Sequence, residues 1–228
     1  MKLLPWDSEF FGHPIARADL PPADLDDAVA AAHSSGASCL YLFVPGDHVG
    51  LVEACVRRGA RLVDLRVELD RVVDPASTAV GPPVRPATVD ELGDLESSAE
   101  DLAHVSRFAA DPRFAADHVR DMYRTWLRWC SSDGVVVVPE TGSSGFVGAR
   151  VVDDETHVDL VYVAPHARGQ GLAAALVDGA LRVTGAPHAS VVTQCGNVAA
   201  QRLYQSLGFK TRAVHAVLHL WLDEATGG

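Results

Sequence analysis

The chain has 228 residues, of which 48% are hydrophobic and 21% are charged, so its composition is that of a folded globular protein. Its formal net charge of −11 argues against a protein that binds nucleic acid or anionic membranes through a basic surface. The first residues lack the apolar core of a signal peptide, and no apolar run reaches the roughly 20 residues of a membrane span. We therefore expect a cytoplasmic protein.

The cysteines and histidines show no spacing typical of metal binding. The four cysteines are scattered without a Cys-x-x-Cys pair, and the ten histidines form no His-Glu-x-x-His motif. We predict that the cysteines are reduced, buried as small hydrophobic side chains, and that no metal is bound.

The first part of the chain reads as alternating helices and strands. Apolar spacing predicts, in order, a helix over 25–32, a strand over 40–44, a helix over 49–58 and a strand over 62–69. A stretch rich in Pro, Gly, Ser and Ala then marks a joint at 74–83. We accordingly predict two regions, a first lobe over 1–80 and a second over 84–223.

The second region begins with a short strand near Val84, followed by Thr88 as a helix N-cap and Glu91 as its capping-box partner. Helical spacing follows at 117–129, 172–182 and 198–207, and strand patterns occupy 135–138, 145–152, 158–163, 190–194 and 213–222. The helix-Gly-strand pattern of 51–69 returns weakly at 200–215. These elements predict an α/β (α+β) fold with a mixed sheet flanked by helices.

A glycine-rich turn joins the strand ending at Val163 to the helix beginning near Leu172. Its sequence, Arg168-Gly-Gln-Gly-Leu-Ala173, lets a bulky anion approach the backbone. Unpaired amides in a first helical turn and the positive end of the helix dipole suit a pyrophosphate, and Arg168 adds a charge-assisted donor. Taken alone, the turn is also compatible with simple packing. The missing G-x-G-x-x-G motif argues against a dinucleotide fold.

A second motif follows one strand later. Asn197 is a natural N-cap, Tyr204 lies two turns further along the same helix face, and Gly208-Phe209 ends the helix. A ligand lying along this helix would meet an amide at its mouth and a phenol deeper in. By itself, Tyr204 is equally compatible with a half-buried core tyrosine.

Together the two motifs resemble the GNAT acetyltransferase superfamily, whose R-x-x-G-x-A signature matches the loop from Arg168 to Ala173. The resemblance spans about 84–222 and implies a GNAT fold, here preceded by a truncated GNAT-like lobe. It implies acetyl-CoA as co-substrate, with the pyrophosphate on the loop, the pantetheine beside the strand, and Asn197 on the cofactor arm. The implied cofactor-binding residues are Val161, Tyr162, Val163, Arg168, Gly169, Gln170, Gly171, Leu172, Ala173, Asn197 and Ala200.

Shorter segments resemble the dTDP-fucosamine acetyltransferase family within that superfamily. They are Pro5-Trp6-Asp-Ser-Glu-Phe10-Phe11-Gly12, Ser106-Arg107-Phe108, Tyr123-Arg-Thr-Trp126 and Thr193-Gln194-Cys-Gly196-Asn197. This resemblance implies that the acceptor is the amino group of a dTDP-linked deoxysugar. The fuller glycine loop, Asp159 and the longer carboxyl end depart from that family, which leaves the identity of the acceptor open.

The resemblance also implies roles for individual side chains. Tyr204 is the expected acid for the leaving thiolate, and Asp64 is the preferred base, with Asp159 and His157 as rivals. The expected acceptor-binding residues are Ser106, Arg107, Phe108 and Gln194. Arg107 would hold a diphosphate and Phe108 would stack on a base.

Two alternatives remain open at this stage. In the first, the chain is an acetyltransferase for another amine, such as an antibiotic, an amino acid or a protein amino terminus. In the second, it is a non-catalytic acyl-CoA-binding module. We also expect that the apolar last strand pairs or packs against a second copy to form a homodimer.

Overall fold

Helices and strands alternate along the described residues, 1–21 and 23–222, of this computed structural model. The helices are α1 (Pro5–Phe11), α2 (Leu25–Ser34), α3 (Val49–Arg57), α4 (Val89–Glu100), α5 (Ala116–Asp133), α6 (Leu172–Thr184) and α7 (Val198–Ser206). The strands are β1 (Lys2–Leu3), β2 (Ile15–Asp19), β3 (Cys39–Pro45), β4 (Arg61–Val72), β5 (Val84–Pro86), β6 (Gly134–Pro139), β7 (Gly145–Val152), β8 (Glu155–Val163), β9 (His188–Gln194) and β10 (Lys210–Trp221).

The predicted elements are present, and the α/β fold class is confirmed. Several ends differ by a few residues: α2 runs on to Ser34 and β4 extends from Arg61 to Val72. The capping box is formed, because Glu91 accepts a hydrogen bond from the Thr88 amide at 2.8 Å. The elements before residue 20 were not predicted, since α1 has only seven residues and β1 only two.

All ten strands belong to one sheet, in the order β1-β2-β3-β10-β4-β9-β8-β7-β6-β5. Strand β4 comes from the first region of the chain, yet it lies between β10 and β9 of the second. Strand β10 in turn lies between β3 and β4 of the first region. Each region therefore inserts one strand beside the other region's strands, and the two share a continuous sheet.

The connection between the two regions contains no helix or strand between residues 73 and 83. It is nevertheless held against α6: the Val80 amide donates to the Asp178 carboxylate at 3.2 Å, and Arg182 donates to the Ser77 carbonyl at 2.7 Å. The division into a first lobe and a GNAT domain remains a prediction, and residue 223, its predicted end, lies outside the described residues.

The expectation that the last strand pairs with a second copy is wrong for this fold. Strand β10 is hydrogen-bonded along both edges, to β3 on one side and to β4 on the other. Its central side chains Val217, Leu218 and His219 are fully buried. The apolar pattern of this strand reflects burial inside the sheet and leaves no free edge for a partner chain.

Helices cover both faces of the sheet. One face packs against α2, α3, α6 and α7, and the other against α1, α4 and α5. Three of the four cysteines are buried, Cys195 is exposed, and all four are free thiols. The candidate site opens where β8 and β9 part in the middle of this sheet.

Candidate functional site

The two central parallel strands, β8 and β9, pair over only part of their length. Their register runs from Glu155 opposite His188 to Val158 opposite Val191 and then stops. Beyond that point β8 stays paired with β7, and β9 stays paired with β4. The carboxyl ends of the two strands therefore diverge, and the edge of β8 from Asp159 to Val163 has no sheet partner on this side.

A cavity of about 990 Å³ fills this divergence and reaches the glycine loop and α7. It is lined by ten of the eleven residues predicted to bind the cofactor: Val161, Tyr162, Val163, Arg168, Gly169, Gly171, Leu172, Ala173, Asn197 and Ala200. The remaining residue, Gln170, does not line it, because its side chain folds back and donates to the His166 carbonyl at 3.1 Å. The Tyr162 hydroxyl donates to Asp101, which also lines this cavity, at 3.0 Å.

The glycine loop presents backbone amides to this cavity. Gly169 and Gly171 have φ angles of +74° and +77°, a conformation that favours glycine. Gly171 is the N-cap of α6 and supplies no side-chain acceptor, so the first-turn amides keep their hydrogen-bonding capacity. Arg168 donates through Nε to the Val163 carbonyl at 2.9 Å, which holds its guanidinium group beside the loop. These groups fit a pyrophosphate.

Helix α7 places two polar side chains beside the cavities. Asn197 caps the helix, its Oδ1 accepting from the Ala200 amide at 3.2 Å. Tyr204 lies deeper and is only 4% exposed. Burial raises the pKa of Tyr204, so its phenol keeps its proton. Among the described residues this hydroxyl has no hydrogen-bond partner, which leaves it available to a ligand.

A second cavity of about 400 Å³ adjoins the first on the α5 face of the sheet. Its lining includes Tyr204, Asp64 and all the residues predicted to bind the acceptor: Ser106, Arg107, Phe108 and Gln194. Both cavities are lined by Leu102, Val105, Val161, Gln194 and Asn197. The two compartments therefore meet beside Val161, where the strands part.

The three candidate bases differ in their surroundings. Burial raises the pKa of Asp64, and the nearby Arg107 charge offsets part of that increase. Asp159 forms a two-point ion pair with Arg150, at 2.6 and 3.0 Å. The His157 ring lies 3.1 Å from the Ser190 hydroxyl. Asp64 is the candidate whose carboxylate has no salt bridge among the described residues, so its lone pairs are the most available.

Of the predicted acceptor residues, Ser106, Arg107 and Phe108 lie on the loop after α4, and Gln194 lies at the end of β9. Phe108 is 5% exposed and packs against Phe11 at a ring distance of 5.1 Å, so little of its face is open to a base. Ser106 is buried and its Oγ accepts from the Ala109 amide at 3.1 Å. Gln194 donates to the Val105 carbonyl and so ties β9 to this loop. Arg107 is the one charged group of the set.

Several residues of the acceptor cavity were missed by sequence reasoning, among them Arg66, Leu102, Val105 and Ser190. A signal existed for Arg66, because Asp64, Arg66 and Glu68 alternate with apolar residues and so share one face of β4. Treating 62–69 as a fully buried strand hid that alternation.

Within the described part of the chain, no group of three or more His, Cys, Asp or Glu side chains is placed to hold a metal ion. Across the same residues, every helix is too short or too polar to span a bilayer.

Comparison with known proteins gives a family match over part of the chain. Residues 100–209 match the model of the Acetyltransferase (GNAT) family. The chain is 27% identical over 157 residues to the spore coat polysaccharide biosynthesis protein SpsD of Bacillus subtilis (strain 168), covering 64% of this chain. It spans about half of that relative, 52% of its length.

Solved structures share the fold. A GCN5-related N-acetyltransferase from Sphaerobacter thermophilus aligns over 80% of this chain and 59% of its own, with a TM-score of 0.57 and 15% identity. Another GCN5-related N-acetyltransferase, from Kribbella flavida, covers 89% of this chain and 77% of its own, with a TM-score of 0.55 and 20% identity. The fold is that of the GNAT acetyltransferases.

Proposed function

From the match of residues 100–209 to the Acetyltransferase (GNAT) family model, we propose that this chain is an acetyl-CoA-dependent N-acetyltransferase. The proposed acceptor is the amino group of a nucleotide-linked, dTDP-type amino-deoxysugar. The observation that carries the proposal is the meeting of two cavities beside Val161. One has the amides for a pyrophosphate, and the other has a protonated phenol and a half-buried carboxylate.

The residues that would hold acetyl-CoA are those of the splayed strand, the glycine loop and the start of α7. The amides of the first α6 turn and Arg168 would bind the pyrophosphate. The unpaired edge of β8 offers Val161 and Val163 to the pantetheine amides, and Asn197 would bind the same arm. When bound, acetyl-CoA supplies a thioester carbon for attack by an amine, with a thiolate as the leaving group.

The chain's own groups would then handle the charges and protons of the transfer. A backbone amide near Val161 would donate to the oxygen that becomes negative. The Tyr204 phenol, kept protonated by burial, would hydrogen-bond to the sulfur as it leaves. Because a phenol is a weaker acid than a thiol, the sulfur would leave as a thiolate that keeps this hydrogen bond, and the attacking nitrogen would lose its proton to another group.

Asp64 would take that proton, directly or through water. Its raised pKa makes it a stronger base than an exposed aspartate. It lines the acceptor cavity together with Tyr204, so the two groups lie on the acceptor side of the cleft.

Two observations support a saccharide acceptor. SpsD takes part in spore coat polysaccharide biosynthesis by its name. The acceptor cavity carries Arg107, which has no salt bridge among the described residues and suits an anionic acceptor better than a polycation such as an aminoglycoside.

The test is acetyl-CoA turnover, followed by free-thiol release, on a panel of dTDP-amino sugars, unphosphorylated amino sugars, aminoglycosides and amino acids. We expect turnover with a dTDP-amino sugar and its loss in Tyr204→Phe. Turnover only with another amine would reject the sugar nucleotide and keep the acetyltransferase. Tight acetyl-CoA binding without turnover on any amine would favour a non-catalytic acyl-CoA-binding module.

A further inference from the structure

Three arginines surround Phe43 at the far end of the acceptor face of the sheet. The guanidinium carbon lies 3.8 Å from the ring centroid for Arg17, 5.6 Å for Arg107 and 5.8 Å for Arg66. Arg17 comes from β2 and Arg66 from β4, whereas Arg107 comes from the loop after α4. We call these three residues the arginine cluster.

Arg107 is the member that forms no salt bridge among the described residues, although Asp7 and Asp64 interact with its charge. It is partly buried against the rings of Phe108, at 4.7 Å, and Tyr41, at 5.0 Å. Among the described residues it makes neither a hydrogen bond nor a salt bridge, and Arg66 and Arg17 add repulsion. Contact with aromatic faces offsets only part of the cost of burying a cation. A bound anion would supply the rest.

The neighbouring acids leave donors free on the other two arginines. Asp19 accepts from Nε and one terminal nitrogen of Arg17, at 3.2 and 2.6 Å, so the second terminal nitrogen is unused. Among the described residues, Arg66 donates to Glu68 through Nε alone, at 2.9 Å, and Glu68 also accepts from Arg212. Asp7 and Asp64 influence the Arg107 charge without forming a salt bridge to it.

The sheet register fixes where the cluster lies relative to the proposed base. Val217 stands opposite Phe43 on one side and opposite Asp64 on the other. Two strand spacings, about 10 Å, therefore separate Phe43 from Asp64 along one face. Arg66 and Arg107 line the same cavity as Asp64. An acceptor with its amine at Asp64 would extend its other end toward the cluster.

We propose that the arginine cluster is a phosphate-binding subsite, through which the first region of the chain holds a phosphorylated acceptor. Three guanidinium groups offer the forked donors that match phosphate oxygens. This inference rests on the proposed function, because it makes the phosphate part of the acceptor. It assigns a binding role to Arg17 and Arg66, which lie outside the residues that match the family model.

The test is calorimetric titration of inorganic phosphate, pyrophosphate and dTDP into the full chain saturated with CoA, so that the cofactor cavity is occupied. We expect dTDP and pyrophosphate to bind, and Arg17→Gln and Arg66→Gln each to weaken binding about tenfold through loss of a charge-assisted hydrogen bond. Arg107→Gln should weaken it further. Arg57→Gln, on the exposed side of α3, is the matched control and should bind like the native chain.

The pattern of affinities separates the sources of the phosphate. Similar affinity for pyrophosphate and dTDP would mean that the cluster reads only a diphosphate, and much tighter dTDP binding would add a contact to the nucleoside. Inorganic phosphate that binds as well as pyrophosphate would indicate a sugar monophosphate. Absence of binding by every probe, or affinities unchanged in all cluster variants, would overturn the proposal.

Two controls keep the result interpretable. Arg107→Lys retains the cation if Arg107→Gln fails to fold, and should bind pyrophosphate with intermediate affinity because lysine lacks the fork. In turnover assays Arg17→Gln should raise KM for a phosphorylated acceptor and leave kcat and the KM for acetyl-CoA unchanged, because Arg66 and Arg107, but not Arg17, lower the pKa of Asp64. Probe binding by a chain that acetylates no amine would retain the subsite and reject the proposed function.

Discussion

Two β-α-β units of this chain have the same connectivity, yet only one opens a cavity between its strands. In the unit β2–α2–β3 all five residues of β2, from Ile15 to Asp19, pair with β3. In the unit β8–α6–β9 the pairing stops at Val158, and β8 continues alone to Val163. A cofactor that binds as an extra strand can enter only the second unit.

The helix amino termini of the two units also differ, because only that of the first unit is capped by a side chain. The Asp24 carboxylate caps α2 and accepts from the amides of Asp26 and Asp27, at 2.8 and 3.4 Å. Helix α6 begins at Gly171, which supplies no side chain. The first unit therefore satisfies its helix amides with its own anion, and the second leaves them for a ligand.

A further contrast lies in the two helix-glycine-strand segments. Helix α7 carries Tyr204 four residues before Gly208, and α3 carries Cys55 four residues before Gly59. Both side chains are buried. The comparison teaches that one backbone connectivity gives a closed unit or a unit with a cavity, depending on how far the strands pair and on the residue that caps the helix.

The largest expected effect is on kcat and follows from replacing Tyr204, whose counterpart in the other helix-glycine-strand segment is Cys55. Tyr204→Phe should lower kcat at least about 100-fold, because the sulfur loses its hydrogen-bond donor, with little change in the KM for acetyl-CoA. Cys55→Ala is the matched control and should lose about 1 kcal/mol of stability and no activity. Near-native kcat in Tyr204→Phe would remove the phenol from the mechanism.

The first turn of α6 can be given a side-chain cap like the one that Asp24 provides to α2. Gly171→Asp places a carboxylate where Asp24 lies in the first unit, and it should weaken acetyl-CoA binding about 100-fold by occupying the amides and repelling the pyrophosphate. Gly171→Asn has the same shape without the charge and tolerates the left-handed backbone. Equal Kd values for the two variants, measured by calorimetry, would contradict an anion site here.

Ionisation of Asp64, the proposed base on β4, is expected to appear in the pH dependence of kcat/KM. Burial raises the pKa of Asp64, and the base acts only when deprotonated, so kcat/KM should fall as the pH drops through a value above that of an ordinary aspartate. Asp64→Asn should remove this acidic limb and lower kcat/KM roughly tenfold to 100-fold. The loss is smaller than for a base that nothing can replace, because water can accept the proton instead. An unchanged acid limb in Asp64→Asn would assign the base to another group.

The smallest effect concerns the capped helix of the first unit. Asp24→Ala should cost about 1 kcal/mol of unfolding free energy, a shift in Tm of about 2–4 °C, because two amides lose their acceptor. Acetyl-CoA affinity should not change. Asp24→Asn retains the acceptor and should restore most of the stability. Weaker acetyl-CoA binding in Asp24→Ala would mean that the first unit also contacts the cofactor.

Local patterns predicted much of the fold. The capping box at Thr88, the valine strand at 135–138 and the helix after Gly171 follow from short-range rules on capping, apolar alternation and turn chemistry. The short elements before residue 20 escaped prediction, because a seven-residue helix contains too few turns for its period to show.

The glycine loop and the Asn197 and Tyr204 helix could be identified from sequence because each lies within one continuous stretch. Arg17 and Arg66 could not, since residues almost 50 positions apart become neighbours only through pairing of β2, β3, β10 and β4. The position of β10 could not be predicted either, because its apolar sequence is compatible with an edge strand or a central strand. Pairing with β3 and β4 places it at the centre of the sheet. Chemistry carried by neighbours along the chain was determined by sequence alone. The arrangement of strands was decided by the tertiary structure, because hydrogen bonding between strands depends on partners distant in the chain.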